Sequence, residues 1–295
     1  MKKIAPLKPG DTIAIISPAG PIKDVQALNN AVSYLESKGY KVKVAPNALL
    51  REEYLAGDDD FRSADLLGAF GNPEIKAILC SRGGYGCARF LDRISDDFIE
   101  ENRKIFLGHS DITVLLNNFS IPTFHAPMAV GDFGTDEVDA LTEKSFFEVI
   151  NGIKAPYLYE AKKDFKVINS GKAQGKLIGG NLSVLVSLLG TKYTPDFEGK
   201  ILLLEDLNEP LYKLDRMLTQ LRLAGVFKQI SGLVVADFGE TDVSMEFLRS
   251  FVPKKPAFYG FYASHDKSKY TLPLGARYSM SADEGTLELI EDIFI

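Results

Sequence analysis

The chemistry open to this chain turns first on one serine. Ser110 stands in Leu107-Gly108-His109-Ser110-Asp111-Ile112-Thr113, between an apolar run that reads as a strand and the helical stretch Val114 to Phe119. A serine in a tight strand-to-helix turn is lifted above the sheet edge and faced by the amide end of the helix, an arrangement that exposes a nucleophile. Gly-x-Ser is present, while Ile112 stands where such turns carry a second glycine. The competing use is plain helix capping by Ser110 or Asp111. A second group, Ser81-Arg82-Gly83-Gly84-Tyr85-Gly86, follows another apparent strand. Its glycines let backbone N–H groups approach an anion or an oxyanion, or they form a tight turn and nothing more. The spacing fits neither the Walker pattern nor the dinucleotide fingerprint.

A serine hydroxyl is a weak nucleophile until a base accepts its proton, and the chain offers three histidines, His109, His125 and His265. His109 adjoins Ser110, and adjacent side chains diverge, so it is the poorest candidate. His125 follows the apolar run Ile121 to Phe124, and His265 lies in the polar loop Ser264 to Lys269; either could reach. The base also needs an orienting carboxylate, which Glu205-Asp206 after Ile201 to Leu204 would supply, unless these acids only complement the dipole of the following helix. Two cysteines and three histidines cannot fill a cysteine-rich zinc site or build a disulfide framework. His-Glu-x-x-His is absent, so no metal and no cofactor is expected.

The elements that must position these residues read as alternating strands and helices. Thr12 to Ile16 is a β-branched run stopped by Ser17-Pro18-Ala19-Gly20, and Asp24 to Lys38 carries Val25, Leu28, Val32 and Leu35 at helical spacing. Tyr40 to Val44, Ile75 to Cys80 and Lys104 to Leu107 read as further strands, and Phe61 to Phe70 as a helix. Repeated βα units imply a parallel sheet whose strand carboxyl ends share one edge, where ligands bind. The loops Ser17 to Gly20, Ser81 to Gly86, Gly108 to Ser110 and His125 to Met128 fall on that edge. Residues 1–155 form this first domain, 156–175 read as a linker because Tyr159 to Gly175 is polar, and 176–295 form a more β-rich second domain. The latter holds helices at Leu182 to Leu189 and along Leu211, Leu214, Leu218 and Leu221, and strands at Lys200 to Leu204 and Leu233 to Phe238.

With 295 residues, 45% hydrophobic and 25% charged, the chain has the composition of a globular protein of one large or two modest domains. Its formal charge of −6 gives no general attraction to nucleic acid or to an anionic membrane. No apolar run approaches a spanning length, and the start lacks a signal peptide's apolar core, so a cytoplasmic location is expected.

Taken together, Cys80-Ser81-Arg82-Gly83-Gly84-Tyr85-Gly86, Gly108-His109-Ser110-Asp111-Ile112-Thr113, Gly179-Gly180-Asn181-Leu182-Ser183 with Leu189-Gly190-Thr191, and Leu204-Glu205-Asp206 with Asp215-Arg216-Met217-Leu218 resemble the L,D-carboxypeptidase family of serine peptidases. That group includes murein tetrapeptide carboxypeptidases and microcin C self-immunity proteins. The resemblance runs from Pro6-Leu7-Lys8-Pro9-Gly10-Asp11 to Leu272-Pro273-Leu274-Gly275. It implies Ser110 as nucleophile, Glu205 as carboxylate and His265 as base, with backbone N–H groups near Gly84 and Asp111 as the oxyanion hole. Gly83, Arg82 and Asn181 join these as substrate-binding candidates, Arg82 as a cation for the substrate carboxylate, and His125 becomes a wall residue. The fold implied is α/β: a flavodoxin-like parallel-sheet domain and a smaller β-rich swivelling domain, with the site between them, in a homodimer. The activity implied is release of a C-terminal D-alanine from the L,D bond of a peptidoglycan tetrapeptide, a muropeptide, in cytoplasmic wall recycling. Hydrolysis of peptidyl or aminoacyl adenylate analogues, as in the immunity proteins, is the alternative within the same chemistry; a non-catalytic binding protein is the alternative outside it. Two departures stand out: His109 precedes the serine where the family more often has an aromatic residue, and Ala263-Ser264-His265 replaces the more usual Gly-His.

Overall fold

The computed structural model describes residues 2–252 and 254–295. The chain divides into two units, the first running to Ile153 and taking back Tyr270–Pro273 and Ile293–Ile295, the second holding Lys154–Lys269 and Leu274–Asp292.

The first unit is built on β1 (Thr12–Ile16), β2 (Lys41–Val44), β3 (Ile75–Cys80), β4 (Ile105–Gly108) and β5 (Thr123–His125), with helices α1 (Val25–Ser37), α2 (Asp59–Gly71), α3 (Asp96–Glu101), α4 (Thr113–Asn118) and α5 (Ala140–Ile150). All five strands pair in parallel, in the order β5-β4-β3-β1-β2. This is the flavodoxin order, whose switch point lies between β1 and β3. β1 and β4 are buried at every position, as a sheet covered on both faces requires. Edge strand β2 carries Lys41 and Lys43 and is mostly exposed, which blunts it against pairing with another chain. The helix expected from Asp24 starts one residue later because Asp24 is its cap, its carboxylate accepting from the Gln26 and Ala27 N–H groups at 2.8 and 3.2 Å.

The rest of the chain carries β6 (Tyr157–Glu160), β7 (Lys166–Asn169), β8 (Lys172–Asn181), β9 (Ile201–Glu205), β10 (Gly232–Val235), β11 (Ala257–Tyr259), β12 (Leu272–Leu274), β13 (Arg277–Ser281) and β14 (Thr286–Leu289), all in the second unit except β12, most of which groups with the first. All but β12 form an eight-stranded mixed sheet, β6-β14-β13-β8-β9-β10-β11-β7, while β12 joins the first sheet beside β5. Helices α6 (Leu182–Leu188) and α7 (Leu211–Leu223) flank it. From α7, Leu214, Leu218 and Leu221 join a core with Leu202, Leu204, Leu233 and Val235, whereas Leu211, expected on the same stripe, is exposed.

Residues 156–175, read as a linker, are not one. They form β6, β7 and the start of β8. The polar composition has a physical cause: β6 and β7 are the two edges of the large sheet and show one face outward, with Leu158 exposed and Tyr159 fully buried. The boundary also differs from the expected 176–295, since Tyr270–Pro273 and Ile293–Ile295 group with the first unit. Among the described residues no helix is long and apolar enough to cross a membrane.

Candidate active site

In the first unit, the end of β4 delivers Ser110 into a turn where its φ is +61°, a left-handed conformation rare for a side chain other than glycine. Such strain persists only where the surroundings over-determine it, and it gathers at functional sites. The surroundings are the 81–86 loop. A Cβ built on Gly83 would lie 2.7 Å from both Cβ and Oγ of Ser110 and 3.5 Å from the Asp111 nitrogen, so the loop backbone abuts the hydroxyl. Gly84, at φ +126°, packs its backbone on Gly20, whose N–H donates to the Gly83 carbonyl at 3.1 Å. The Gly84 N–H has no acceptor among the described residues, and the Asp111 N–H opens a 3₁₀ turn, Ser110–Ile112, where helix geometry supplies none. The Asp111 N–H therefore adjoins the strained hydroxyl, and the Gly84 N–H follows directly on the glycine that abuts it.

The Asp111 side chain holds this arrangement. It is buried and accepts from the Cys87 N–H at 2.9 Å, tying the serine turn to the end of the glycine loop. Burial raises its pKa, opposed by N–H groups of Cys87 and Gly86 and by the charge of Arg62. Arg62, fully buried on α2, donates at 2.8 Å to the carbonyls of both Pro18 and Gly86, joining the loops after β1 and β3 across the switch point. Ser17 and Ser81 meet through their hydroxyls at 2.8 Å. Arg82 is half-buried, and one guanidinium N–H goes to the Pro21 carbonyl at 2.9 Å, so at least part of its function is internal to the loops. His109 turns from Ser110 and contacts the Ala126 carbonyl through Nδ1 at 2.9 Å. Its ring lies 5.8 Å from that of His125, and both are buried.

In the second unit, β9 ends at Glu205, which has no exposed surface, and Nδ1 of His265 lies 2.8 Å from its Oε2, at ion-pair distance though not aligned as a hydrogen bond. With Nδ1 at the carboxylate, Nε2 is the nitrogen directed away from it, the tautomeric arrangement of a histidine base oriented by an acid. Burial disfavours the imidazolium, but the Glu205 carboxylate outweighs it, and the His265 pKa is raised above that of an ordinary histidine. Burial likewise pushes Glu205 up, with His265 opposing. Asn181 stands directly across the β8–β9 pair from Glu205. Its side chain also caps α6, accepting from Val184 N–H at 3.2 Å, and donates to Asp206 at 3.2 Å. Asp206 accepts in turn from the Ser183 and Leu207 N–H groups at 2.9 and 2.8 Å.

Of the residues singled out in the sequence, Ser110, Gly83, Gly84 and Asp111 thus converge in the first unit, with Arg82 in the same loop. Glu205, His265 and Asn181 converge in the second. The sequence reading missed Arg62 and the carboxylate function of Asp111, and it singled out Asp206 only as part of the Glu205-Asp206 pair, not as the acceptor that ties β9 to Asn181 and the start of α6. Arg62 had a signal: it lies four residues before Leu66 and eight before Phe70, on the buried stripe of α2, where an unpartnered arginine would be untenable.

The profile of the LD-carboxypeptidase N-terminal domain matches residues 13–126, and that of the LD-carboxypeptidase C-terminal domain matches residues 174–280. A protein of Bacillus subtilis strain 168 named "Probable murein peptide carboxypeptidase" is 38% identical over 294 residues, covering 95% of this chain and 92% of the relative. The microcin C7 self-immunity protein MccF of Escherichia coli is 28% identical over 329 residues, covering 97% and 95%. The crystal structure of muramoyltetrapeptide carboxypeptidase from Oxalobacter formigenes superposes with a TM-score of 0.85 at 32% identity, over 95% of this chain and 99% of that one. The chain belongs to the LD-carboxypeptidase family.

Proposed function

We propose that the protein is a serine carboxypeptidase that releases the C-terminal D-alanine from the L,D bond of peptidoglycan tetrapeptides, acting in cytoplasmic wall recycling as a homodimer. The observation that carries the reading is the strained Ser110, held against Gly83, with the Asp111 nitrogen close by; the N–H groups of Gly84 and Asp111 are the donors this reading assigns to the oxyanion. Ser110 Oγ attacks the carbonyl of the L-centre while His265 Nε2 accepts its proton, with Glu205 at Nδ1 stabilising the imidazolium. The two N–H donors receive the developing oxyanion, and one such donor is worth about 10² to 10³ in rate. Collapse of the tetrahedral adduct expels the D-alanine amine, protonated by His265, and water resolves the acyl-enzyme by the reverse sequence. Mass spectrometry of a synthetic L,D-tetrapeptide incubated with the wild type and with Ser110→Ala tests this. Release by the wild type and none by the folded variant is expected; equal release by both would refute it.

The relative named for immunity supports a second reading, cleavage of aminoacyl adenylate analogues. Identity of 38% to the murein enzyme against 28% to the immunity protein favours the muropeptide. The chain also has no tryptophan and offers only Tyr or Phe to stack on a base. Comparing kcat/KM for the muropeptide with that for an aminoacyl sulfamoyl adenylate decides between them.

A further inference from the structure

The polar stretch that becomes β6 and β7 contains a lysine whose partners surround the His265–Glu205 pair. Lys162 Nζ lies 2.9 Å from Asp237 Oδ2 and 2.7 Å from Asp266 Oδ2, bridging the two carboxylates. Asp266 directly follows His265, and its N–H donates to the buried Ser264 hydroxyl at 3.2 Å. Asp237 follows β10, and its carbonyl accepts from the Asp206 N–H, the residue after Glu205, at 3.2 Å. A second oxygen of Asp237 accepts from the Gly239 N–H at 3.2 Å. Lys162 itself is fixed at the backbone, donating to the Gly260 carbonyl at 2.8 Å. A path therefore runs from Glu205 through Asp206, Asp237, Lys162 and Asp266 to His265, closing a ring on the 2.8 Å contact between the pair. The ion cluster lines a cavity of about 230 Å³, with Tyr259 and Asp164 among its walls. The Lys162 side chain and Asp237 are mostly buried, which sets their pair apart from one between exposed, mobile side chains, while Asp266 is half-exposed at the end of the bridge.

We propose that Lys162 is a positioning residue of the carboxypeptidase site, holding the Ser264–Asp266 loop so that His265 stays against Glu205. The proposal rests on the functional reading above for its kinetic consequences, not for the geometry. A loop released on one side lets the imidazole drift, and misplacement by about 1 Å costs on the order of 10²-fold in rate. The groups that face His265 are Glu205 at the end of β9, Asp206 just after it and Lys269 from its own loop, with Asp266 adjacent in sequence. Two effects of removing Lys162 then act in opposite directions. Loss of a nearby cation alone raises the His265 pKa, whereas separation from Glu205 lowers it towards the ordinary histidine value of about 6.5.

The test is an NMR titration of the His265 imidazole in the full chain, assigned with His265→Ala, for the wild type, Lys162→Met and Lys162→Arg. Positioning predicts a lower pKa in Lys162→Met and partial recovery in Lys162→Arg; an unchanged or raised value in the folded Lys162→Met protein overturns the proposal. Steady-state kinetics on a tetrapeptide ending in D-alanine should show kcat lowered about 10- to 100-fold with KM nearly unchanged, because the lysine acts through the base. If Lys162→Met does not fold, Lys162→Gln removes the same charge with a polar side chain that the two carboxylates tolerate, and it must show the same fall in pKa, since loss of the cation alone would raise it. A wild type inactive on the peptide would refute the functional reading alone, since the titration still decides the positioning.

Discussion

Gly83→Ala isolates the contact on which the serine site depends. Gly83 has no positive φ, so alanine meets no backbone objection there, and the only obstacle is space. The new methyl would sit 2.7 Å from Ser110 Cβ and Oγ, about 1 Å inside the 3.5 to 4.0 Å at which carbon atoms pack. Ser110 has little room to yield, because its turn is tied through Asp111 to the Cys87 N–H at 2.9 Å. Overpacking of this kind costs about 1 to 3 kcal/mol of stability. The loss in activity should be larger. Shifting the hydroxyl by about 1 Å costs on the order of 10²-fold, and pushing the Asp111 N–H out of line removes a donor worth 10² to 10³. The terms are not additive, so a loss of about 10³ in kcat/KM is the expected floor, or about 4 kcal/mol of transition-state stabilisation. The assay is D-alanine release from the L,D-tetrapeptide beside a chemical melt of the same protein. Gly68→Ala is the control, since a Cβ on that α2 glycine meets nothing within 4 Å and should leave activity untouched. A folded Gly83→Ala protein within tenfold of wild-type kcat/KM would refute the reasoning.

Ser110→Gly should abolish turnover yet raise the unfolding free energy by about 1 kcal/mol, because glycine relieves the +61° backbone; a denaturant melt showing loss of stability would count against strain at that residue. His265→Ala should lower kcat by several orders of magnitude, whereas His125→Ala, a buried wall residue by this reading, should cost far less, and the opposite ranking in steady-state kinetics would reassign the base. The acid limb of the kcat/KM profile should have its midpoint above 6.5, since the base must be neutral and Glu205 raises the pKa of His265; Glu205→Gln should move that limb to lower pH, and a limb that stays put would detach it from this pair. An all-L tetrapeptide should be cleaved at least about a hundredfold more slowly than the one ending in D-alanine, roughly 2.7 kcal/mol, and near-equal kcat/KM values would exclude a site that reads the configuration of the leaving residue.

What could be read from the sequence follows from what each residue does locally. β1 and β3 were legible to the residue, because a buried parallel strand is a largely apolar run, broken in β3 only by the exposed Lys76 near its start, that stops at a turn rich in glycine or proline. The serine turn and the glycine loop were legible as candidates because their chemistry needs particular residue types at short range. β6 and β7 were not. Four-residue edge strands with one outward face contain too few apolar positions to show a period. The hairpin of β13 and β14 was passed over although both strands alternate, Tyr278 and Met280 in one and Leu287 and Leu289 in the other facing inward. The partners of Arg62 and Lys162 were hidden for a different cause. They lie far off in sequence, 24 residues in the Arg62–Gly86 bond and 104 in the Lys162–Asp266 bond, so a short window can mark Arg62 as a buried cation on α2 but not what it ties together.

The same distinction explains how the first unit can hold Ser110 in an unfavourable conformation at all. A left-handed non-glycine residue costs on the order of 1 to 3 kcal/mol. Hydrogen bonds to a charged group contribute about 1.5 to 3 kcal/mol each, and the buried Arg62 makes two such bonds, to Pro18 and Gly86, while Asp111 accepts another from Cys87. These bonds exceed the strain, and all three act on the loop ends that flank Ser110 without touching its hydroxyl. The hydroxyl therefore stays at the surface of the turn while its backbone is fixed from below. Ser81, Gly84 and Gly86 cannot relax one at a time, because Ser17, Gly20 and Arg62 respectively hold them from the loop after β1 or from α2. Stability spent in the serine turn is thus recovered in residues that perform no chemistry, which is why Arg62, though remote in sequence from Ser110, belongs to the site as firmly as the glycines do.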